Sequence, residues 1–317
     1  MYKQLSREQR YAIYLGLQEK KTLTAIALQI GCSVSTVCRE VKRNTNRHGH
    51  YVFQHACEFA QFRKQRSAMN RRTPAHVIRQ ARKLLIEEDW SPQQISGWLL
   101  LNKQIHISHE RIYQEIRADK SGILKEHTRH KMKYRHHCYR KRPTKVRTIP
   151  DRISIHDRPV EADGTRFGDW ELDLIVGKGQ RSALVTLTER FTNYTLMEYI
   201  PNKRPQTVAD TVWKMLMPFI GHALKTITTD NGIEFMLHKQ FARKLKTKVY
   251  FADSYCSWQK GAIEYANKLI RQYFHKGTDF NLITKEEIME IQKKINRRPR
   301  KKLNFKTPTM VFYNLCR

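Results

Sequence analysis

The pattern of apolar and polar residues in the first fifty positions is helical. Between Ser6 and Glu19, apolar and aromatic side chains recur at helical spacing, and Ser6 with Gln9 forms a capping box that marks a helix start. The following stretch, LTAIALQIGCSVSTVCREVKRN, predicts a short helix, a turn at Gly31 and a second helix from about Val34. Two helices joined by so short a turn form a helix-turn-helix.

The second of these helices carries polar side chains on its outward side. Short hydroxyl and Arg side chains in such a position can reach base edges and phosphates in a major groove. The alternative is an ordinary helical hairpin with a solvated charged face. We expect DNA contacts from Ser35, Thr36, Arg39 and Arg43.

A second unit of the same design follows. WSPQQISGWLL places Ser91 as N-cap and Pro92 at the first helical position, and ISHERIYQEI begins with Ser108 as N-cap. His109 and Arg111 lie near the start of this second candidate recognition helix. Between the two units, YVFQHACEFAQFRKQRSAMNRR predicts a helix that begins apolar and ends basic. Two tandem readers imply a long DNA site, which enzymes and repressors both use.

The second half of the chain predicts a sheet covered by helices. FGDWELDLIVGK, SALVTLTE and YTLMEYI are separated by polar and Gly-rich turns and predict three antiparallel strands. Predicted helices then alternate with the strands LKTITTD and KVYFAD, and the last helix, SWQKGAIEYANKLIRQYFHKG, is stopped at Gly277. This order is that of the ribonuclease H-like α/β fold, which has helices on both faces of its sheet.

The charge of the chain indicates its class of partner. Sixty Lys and Arg against 29 Asp and Glu give the 317 residues a formal net charge of +31, which self-repels unless a polyanion offsets it. Nucleic acid is the expected partner. An anionic membrane is the alternative, but no stretch approaches the roughly 20 apolar residues of a spanning helix and no signal peptide opens the chain. We therefore expect a soluble, cytoplasmic protein.

The six cysteines form no C-x-x-C pair, so reduced and mostly buried thiols are expected rather than disulfides or a zinc knuckle. Histidines and a cysteine also lie close together from His127 to Cys138, inside the basic tract KEHTRHKMKYRHHCYRKRPTKVR. Their spacing matches no standard zinc pattern, which leaves metal binding as the weaker alternative. The cations of this tract are expected to follow DNA phosphates.

Acidic residues recur where the predicted sheet would gather them. Asp169, Glu171 and Asp173 alternate along the first strand and share one face. Asp230 ends a later strand and precedes Asn-Gly, so it is either a turn former or a metal ligand. Glu264 lies one to two turns into the last helix. Carboxylates at strand ends and on a flanking helix favour Mg²⁺ or Mn²⁺, since no His or Cys joins them.

These motifs resemble the DDE transposases of the insertion-sequence kind, in particular the family usually called IS-thirty. The resemblance covers nearly the whole chain. It rests on SREQRYAIYLGLQ with TAIALQIGCSVSTVCREVKRN, FGDWELDLIVGK, TITTDNGIEF, SYCSWQKGAIEYANKLIRQYFHKGTDF and INRRPRKKLNFKTP. In that family the first catalytic Asp stands in a W-E-x-D stretch, the second precedes Asn-Gly, and the Glu lies in the long helix.

The resemblance thus assigns the catalytic and metal-binding roles to Asp173, Asp230 and Glu264. Strand geometry alone does not choose between Glu171 and Asp173, and the choice of Asp173 comes from the resemblance. It implies a transposase that binds the terminal inverted repeats of an insertion sequence, cuts DNA strands and transfers them to target DNA with two Mg²⁺ or Mn²⁺ ions. At least a homodimer is expected on DNA, in the bacterial nucleoid.

Two positions beside the acids depart from the family pattern. Leu172 stands where many relatives have Gly, and Ile263 stands where Asn is common. All three acids remain, so these changes bear on substrate positioning rather than on chemistry. Supporting roles at the site are expected for Glu171, Asn231 and Asn267.

Further DNA contacts are predicted towards the C-terminus. Lys268 and Arg271 follow Glu264 on its side of the helix, at i+4 and i+7. The run INRRPRKKLNF is expected to form a phosphate clamp rather than only a solvated face, through Arg297, Arg298 and Arg300.

Several aromatic residues lie near the acids in the sequence. A covalent recombinase would need a tyrosine in a matched Arg-His setting, which Tyr255, Tyr265 and Tyr273 lack, so they are expected to pack or stack. Trp258 is either a core residue or a base-stacking group.

The predicted organisation has six parts. They are a helix-turn-helix domain (1–48), a basic helical connector (49–74), a second helix-turn-helix domain (75–122), a basic linker (123–158), the ribonuclease H-like catalytic core (159–280) and a basic C-terminal helical segment (281–317). The alternative function is a catalytically silent helix-turn-helix regulator derived from a transposase. A plain metal-dependent nuclease is a further alternative, which two DNA-reading units make less attractive.

Overall fold

The computed structural model describes residues 4–46, 48–70, 73–129, 131–132, 149–254 and 256–316. They divide after Pro74 into two compact units. The first unit contains α1 (Arg7–Gln18), α2 (Leu23–Gln29), α3 (Val34–Asn44) and α4 (Phe53–Asn70). The predicted capping box is confirmed, since Ser6 and Gln9 each donate a backbone N–H to the other's side chain. The core of this unit includes Ile13, Ile26, Ala27, Val37 and Ala56.

Helix α4 differs from the expected connector. Its first residue, Phe53, packs its ring against Tyr11 and Tyr14, at centroid distances of 5.0 and 5.8 Å, and Ala56 is fully buried. The apolar start of α4 needs this cover, because exposed aromatic surface is unfavourable in water. The first compact unit therefore extends to Pro74 instead of ending near residue 48.

The second unit begins with a helical module, α5 (Ala75–Glu88), α6 (Pro92–Lys103), α7 (His109–Ala118) and α8 (Ile123–Glu126). Ser91 caps α6 with Pro92 at its first position, and Ser108 caps α7, as predicted. One core holds the module together and includes Leu85, Ile95, Leu99, Ile112 and Ile116.

A six-stranded mixed sheet forms the centre of the second unit. Its strands are β1 (Ile153–Ser154), β2 (Asp169–Val176), β3 (Ala183–Glu189), β4 (Thr195–Ile200), β5 (Thr226–Thr229) and β6 (Lys248–Phe251), in the order β1-β6-β5-β2-β3-β4. The predicted antiparallel pairing of β2, β3 and β4 is confirmed, and β5 joins β2 in parallel. Five helices accompany the sheet: α9 (Pro205–Leu216), α10 (His238–Leu245), α11 (Gly261–Tyr273), α12 (Lys285–Arg297) and α13 (Pro308–Leu315).

The two sides of β2 pack against different helices. Trp170 and Leu172 enter the core beneath α9, α10 and α13. Ile175 joins the core formed with α11 and α12. Because side chains alternate along a strand, the acidic odd-numbered positions of β2 lie on the α11 face. Helix α11 ends at Tyr273, before the predicted stop at Gly277.

Helix α12 completes the edge of the sheet. Asn296 accepts a hydrogen bond from Thr195 N and donates one to Thr195 O, while Gln292 accepts from Met197 N. These amides take the place of a neighbouring strand on β4, whose edge groups would otherwise lack partners. Residues 281–317 therefore belong structurally to the core, whereas a separate C-terminal segment was predicted.

The helical module also contacts the core around α11. Tyr273 Oη donates to Asp89 Oδ2 at 3.0 Å and accepts from Arg298 Nη2 at 2.6 Å. Asp89 Oδ1 also lies 2.8 Å from His127 Nδ1. On α6, a Cβ at Gly97 would overlap the ring of Phe305. The module and the core consequently form one unit, although separate domains were expected.

The described cysteines are more exposed than the sequence predicts. Of the described cysteines, Cys38 is exposed and Cys32, Cys57, Cys256 and Cys316 are half-buried, so the prediction of mostly buried thiols is wrong for them, while all five are free as expected. Across the residues that the structure describes, no helix has the length and apolar character needed to cross a membrane.

Replacing Tyr273 by Phe should loosen the module from the core. The substitution removes one acceptor from Arg298 and one donor from Asp89, so we expect a loss of roughly 1–3 kcal/mol in the free energy of unfolding, measured by urea denaturation. Tyr199→Phe is the matched control, since the Tyr199 hydroxyl bonds Asn281 on the surface. Equal stability of the two variants would contradict a structural role for Tyr273.

Candidate active site

The three acidic residues on the α11 face of β2 have different surroundings. Asp169 is buried and accepts from Arg166 and from the Thr226 hydroxyl. Glu171 is also buried, and its two oxygens accept from Arg190 Nε at 2.9 Å and from Ile263 N at 2.8 Å. Both carboxylates are thus fully occupied by structural partners.

Asp173 has polar partners from α11 and from the residue before this helix. Its Oδ2 accepts from Asn267 Nδ2 at 2.7 Å, and its Oδ1 lies 3.4 Å from Lys260 Nζ. Burial raises the pKa of Asp173, and the Lys260 ammonium opposes that rise. Of the two candidates on β2, Asp173 is therefore the one that faces Lys260 and α11 polar groups, whereas Glu171 holds the start of α11.

Asp230 follows β5, which pairs with β2 in parallel, so it lies at the same end of the sheet as Asp173. Its Oδ1 accepts from Gly232 N at 3.0 Å, which is the hydrogen bond of a turn former. Its Oδ2 lies 3.2 Å from Lys260 Nζ. The residue forms the turn with one oxygen and presents the other to a cation.

Lys260, which sequence reasoning missed, joins these two carboxylates. It ends the short 3₁₀ helix Ser257–Lys260 directly before α11 and is 5% exposed. Burial alone would lower the pKa of Lys260, but Asp173 and Asp230 outweigh it and raise the pKa. Its position four residues before Glu264 was the available signal, since i and i+4 share a helix face.

Glu264 lies in the first turn of α11 and is half-buried. It stands between Lys260 and Asn267 in the helical repeat, and both of these residues contact Asp173. Within the described residues, the Glu264 side chain makes no hydrogen bond or ion pair, and no three His, Cys, Asp or Glu side chains are grouped as a metal centre. The structure thus links Asp173 and Asp230 directly and places Glu264 on the adjoining helix.

The predicted supporting residues act in different ways. Asn231 donates to Ala252 O at 2.7 Å and accepts from Arg152, so it fixes the loop after Asp230. Asn267 orients Asp173, and its own Oδ1 is buried with no described protein partner. Glu171 supplies an acceptor to the N-terminal turn of α11, where a negative charge is favourable.

A cleft of about 460 Å³ adjoins the site. Lys268 is exposed there, whereas Arg271 directs its guanidinium to the carbonyls of Phe274, His275 and Val176. Sequence reasoning did not foresee Arg129, which donates to Tyr265 Oη at 2.8 Å. The lining consists of Arg129, Glu264, Asn267, Lys268, Arg271 and Gln272.

The predicted C-terminal phosphate clamp needs correction. Arg297 is exposed, but Arg298 and Arg300 are buried, at 2% and 4% exposure. Arg298 donates to Gln272 and Tyr273, and Arg300 lies over the Tyr265 ring at 5.5 Å. Burial lowers the pKa of Arg300 to about 10. These two guanidiniums support α11 and do not face a phosphate.

The aromatic residues near the acids have different surroundings. Tyr265 and Tyr273 pack against arginines, as expected for packing or stacking groups. Burial would raise the pKa of Tyr265, but Arg129 and Arg300 reverse the direction and lower it. Trp258 is 72% exposed, which excludes a core role. Tyr255 lies outside the described residues.

The predicted DNA-reading side chains of α3 are on its surface. Ser35, Arg39 and Arg43 are exposed and Thr36 is half-buried. Glu40, in the same helix, accepts a hydrogen bond from Arg10 Nε at 2.6 Å. Thr36, Arg39 and Arg43 also line a cleft of about 520 Å³ in the first unit.

In the helical module, His109 is exposed at the start of α7 and Arg111 pairs with Glu115 at 3.2 Å. Much of the basic tract lies outside the described residues, including His130, Lys133, Arg135, His136, His137, Cys138, Arg140, Lys141 and Arg142. His127 is described, and its ring contacts Asp89 rather than another histidine.

Two parts of the chain match known protein families. Residues 1–44 match the family described as "Helix-turn-helix domain", and residues 165–257 match "Integrase core domain". The second match includes Asp173 and Asp230 and ends before Glu264. The structure is also similar to the catalytic core domain of BIV integrase, with a TM-score of 0.38 and 14% identity over 47% of this chain and 95% of that chain.

Relatives extend the similarity to almost the whole chain. It is 39% identical to the transposase for insertion sequence element IS4351 of Bacteroides fragilis, over 98% of this chain and 96% of the relative. It is 33% identical to the transposase InsI for insertion sequence element IS30A of Escherichia coli strain K12, over 96% of this chain and 82% of the relative.

The fold and the matches define a DNA-binding polynucleotidyl transferase, in which a helix-turn-helix region precedes a ribonuclease H-like core in the sequence. The chain belongs to the DDE transposases of the IS30 family.

Glu171→Gln should act through stability. Leaving Arg190 without its charged partner in a buried site should lower the free energy of unfolding by roughly 3 kcal/mol, measured by urea denaturation. Glu161→Gln is the control, since Glu161 is exposed and its ion pair with Arg166 is long, at 3.9 Å. Lost DNA cleavage at unchanged stability would instead make Glu171 a direct catalytic carboxylate.

Proposed function

We propose that this transposase binds the terminal inverted repeats of its insertion sequence and catalyses divalent-metal-dependent strand cleavage and strand transfer at Asp173, Asp230 and Glu264. The observation that carries the proposal is the convergence of Asp173 Oδ1 and Asp230 Oδ2 on one buried cationic group, Lys260 Nζ. Two carboxylate oxygens that share one cation form a position suited to a metal ion.

The chemistry of the site fits Mg²⁺ or Mn²⁺. Carboxylate oxygens are the ligands that these hard cations prefer, and the buried Oδ1 of Asn267 adds an acceptor without a described protein partner. Integrase-type transposases generally use divalent ions, and two ions would stabilise the attacking and leaving oxygens of an in-line displacement. Asp173, Asp230 and Glu264 would hold them.

The protein's own residues supply the positioning. Asn267 fixes the orientation of Asp173, and the turn at Gly232 fixes that of Asp230. Glu171 anchors the backbone of α11 one residue before Glu264. Three independent contacts therefore set where the carboxylates stand, which is the preorganisation that a reaction at phosphorus requires.

DNA would approach the site along the adjoining cleft. Exposed Lys268 lies on the Glu264 side of α11, where it can neutralise a backbone phosphate. Recognition of the ends is assigned to the exposed polar side of α3, with His109 and Arg111 of α7 as additional contacts. Joining two element ends requires at least two catalytic cores, so we expect a homodimer or larger assembly on DNA in the bacterial nucleoid.

Asp230→Asn should abolish strand cleavage while end binding persists. Loss of a metal-holding carboxylate removes several kcal/mol of transition-state stabilisation, so we expect a decrease on the order of 10³-fold or more. The measurement is nicking and joining of a labelled element end with Mg²⁺, beside a gel-shift assay. Asp173→Asn and Glu264→Gln should behave alike.

Asp210→Asn provides the control for that experiment, because it makes the same change on α9, across the sheet from α11. Normal turnover by the Asp230→Asn protein would refute the assignment. Binding without nicking by the unaltered protein would favour a silent regulator, and nicking without joining would favour a plain nuclease.

Arg39→Gln and Arg43→Gln should weaken binding to the element end and reduce its dependence on salt. Each lost phosphate contact should lower the slope of log K against log salt by about one. Gel-shift titrations at several salt concentrations measure this slope, and Lys293→Gln, at an exposed position of α12, is the control. Unchanged slopes for both variants would place these arginines away from DNA.

A further inference from the structure

Each of the two aspartates has one oxygen held by a neighbouring residue of the fold and one oxygen that faces Lys260. In Asp173, Oδ2 is held by Asn267, and in Asp230, Oδ1 is held by the backbone N–H of Gly232. The remaining oxygens, Asp173 Oδ1 and Asp230 Oδ2, both face Lys260 Nζ, at 3.4 and 3.2 Å. These are the two oxygens available for a metal ion.

Lys260 is suited to this position by its shape and surroundings. An ammonium group is a compact charge with three donors and no acceptor, so it can serve two carboxylates at once. The side chain is 7% exposed, which removes most competition from water. Without it, two like charges would face each other in a partly buried site, which is unfavourable.

We propose that Lys260 is a placeholder cation, which occupies the position between Asp173 and Asp230 before metal ions bind and leaves it when they arrive. This inference rests on the proposed metal-dependent function. A divalent ion bound by the same two oxygens would lie close to the ammonium, and the two positive charges would repel each other. Metal binding and the lysine pairing therefore compete for these oxygens.

In the metal-free protein the lysine keeps the two aspartates close together. It also lowers the apparent metal affinity, because only molecules in which Lys260 has left the two oxygens can bind the ion. Lys260 lies at the junction between the 3₁₀ helix and α11, and its four-carbon side chain has the flexibility that withdrawal requires.

Lys260→Met tests the proposal, since it keeps a similar length and removes the charge. Titration calorimetry of the full chain with Mn²⁺ should show about tenfold tighter binding than in the unaltered protein, because the competing state is absent. The metal-free melting temperature should fall, and added Mn²⁺ should raise it by more than in the unaltered protein. Lys293→Met, on the exposed side of α12, should change none of these.

A second measurement does not depend on the folding of a variant. In the unaltered protein labelled with ¹⁵N-lysine, the buried Lys260 ammonium should give a slowly exchanging NMR signal that is lost on adding Mg²⁺. Lys260→Arg retains a positive charge and should not bind Mn²⁺ more tightly than the unaltered protein.

The outcomes separate this inference from the proposed function. If neither the unaltered protein nor Lys260→Met binds Mn²⁺, and Asp230→Asn changes nothing, the metal-dependent function fails. If the unaltered protein binds Mn²⁺ but Lys260→Met binds equally or more weakly, or the Lys260 signal persists with saturating Mg²⁺, the placeholder fails while the metal site stands.

Discussion

Two ionised carboxylates from neighbouring strands repel each other in a partly buried site, and a positive charge between them offsets that repulsion. The parallel pairing of β2 with β5 brings Asp173 and Asp230 to one end of the sheet. Lys260 compensates their charge, and it does so from the residue that directly precedes α11. The placement of the helix that carries Glu264 is therefore tied to the charge balance of the site.

Helix α11 is held from several directions. Glu171 accepts from its N-terminal backbone, and the apolar side chains of Leu269 and Ile270 pack on the sheet with α12. Tyr265 and Tyr273 pack against the same cluster, and their hydroxyls contact Arg129 and Asp89. The module thus has a structural role in the second unit beside any contact with DNA, since its Asp89 and Arg129 help to fix the helix of the site.

The basic residues near α11 show that charge in the sequence does not reveal position. Arg297, Arg298 and Arg300 are nearly adjacent in one run, yet only Arg297 is exposed. Arg298 donates to the side chains of Gln272 and Tyr273, and Arg300 donates to the carbonyl of Ile295 inside the protein. A run of cationic residues forms a solvated or DNA-facing surface only where the backbone directs every side chain outwards. After α12 the backbone directs Arg298 and Arg300 into the protein.

Local sequence patterns predicted the helices of the first fifty residues, the order of the elements from β2 to α11 and the acidic residues worth testing, because capping, side-chain periodicity and turn chemistry are local properties. Which of Glu171 and Asp173 faces Lys260 depends on the folded chain, since both lie on one face of β2 and differ in the contacts that α11 and Arg190 make with them. It also revealed Lys260, attached α4 to the first unit and buried Arg298 and Arg300. These outcomes depend on contacts between residues far apart in the chain, which no local pattern records.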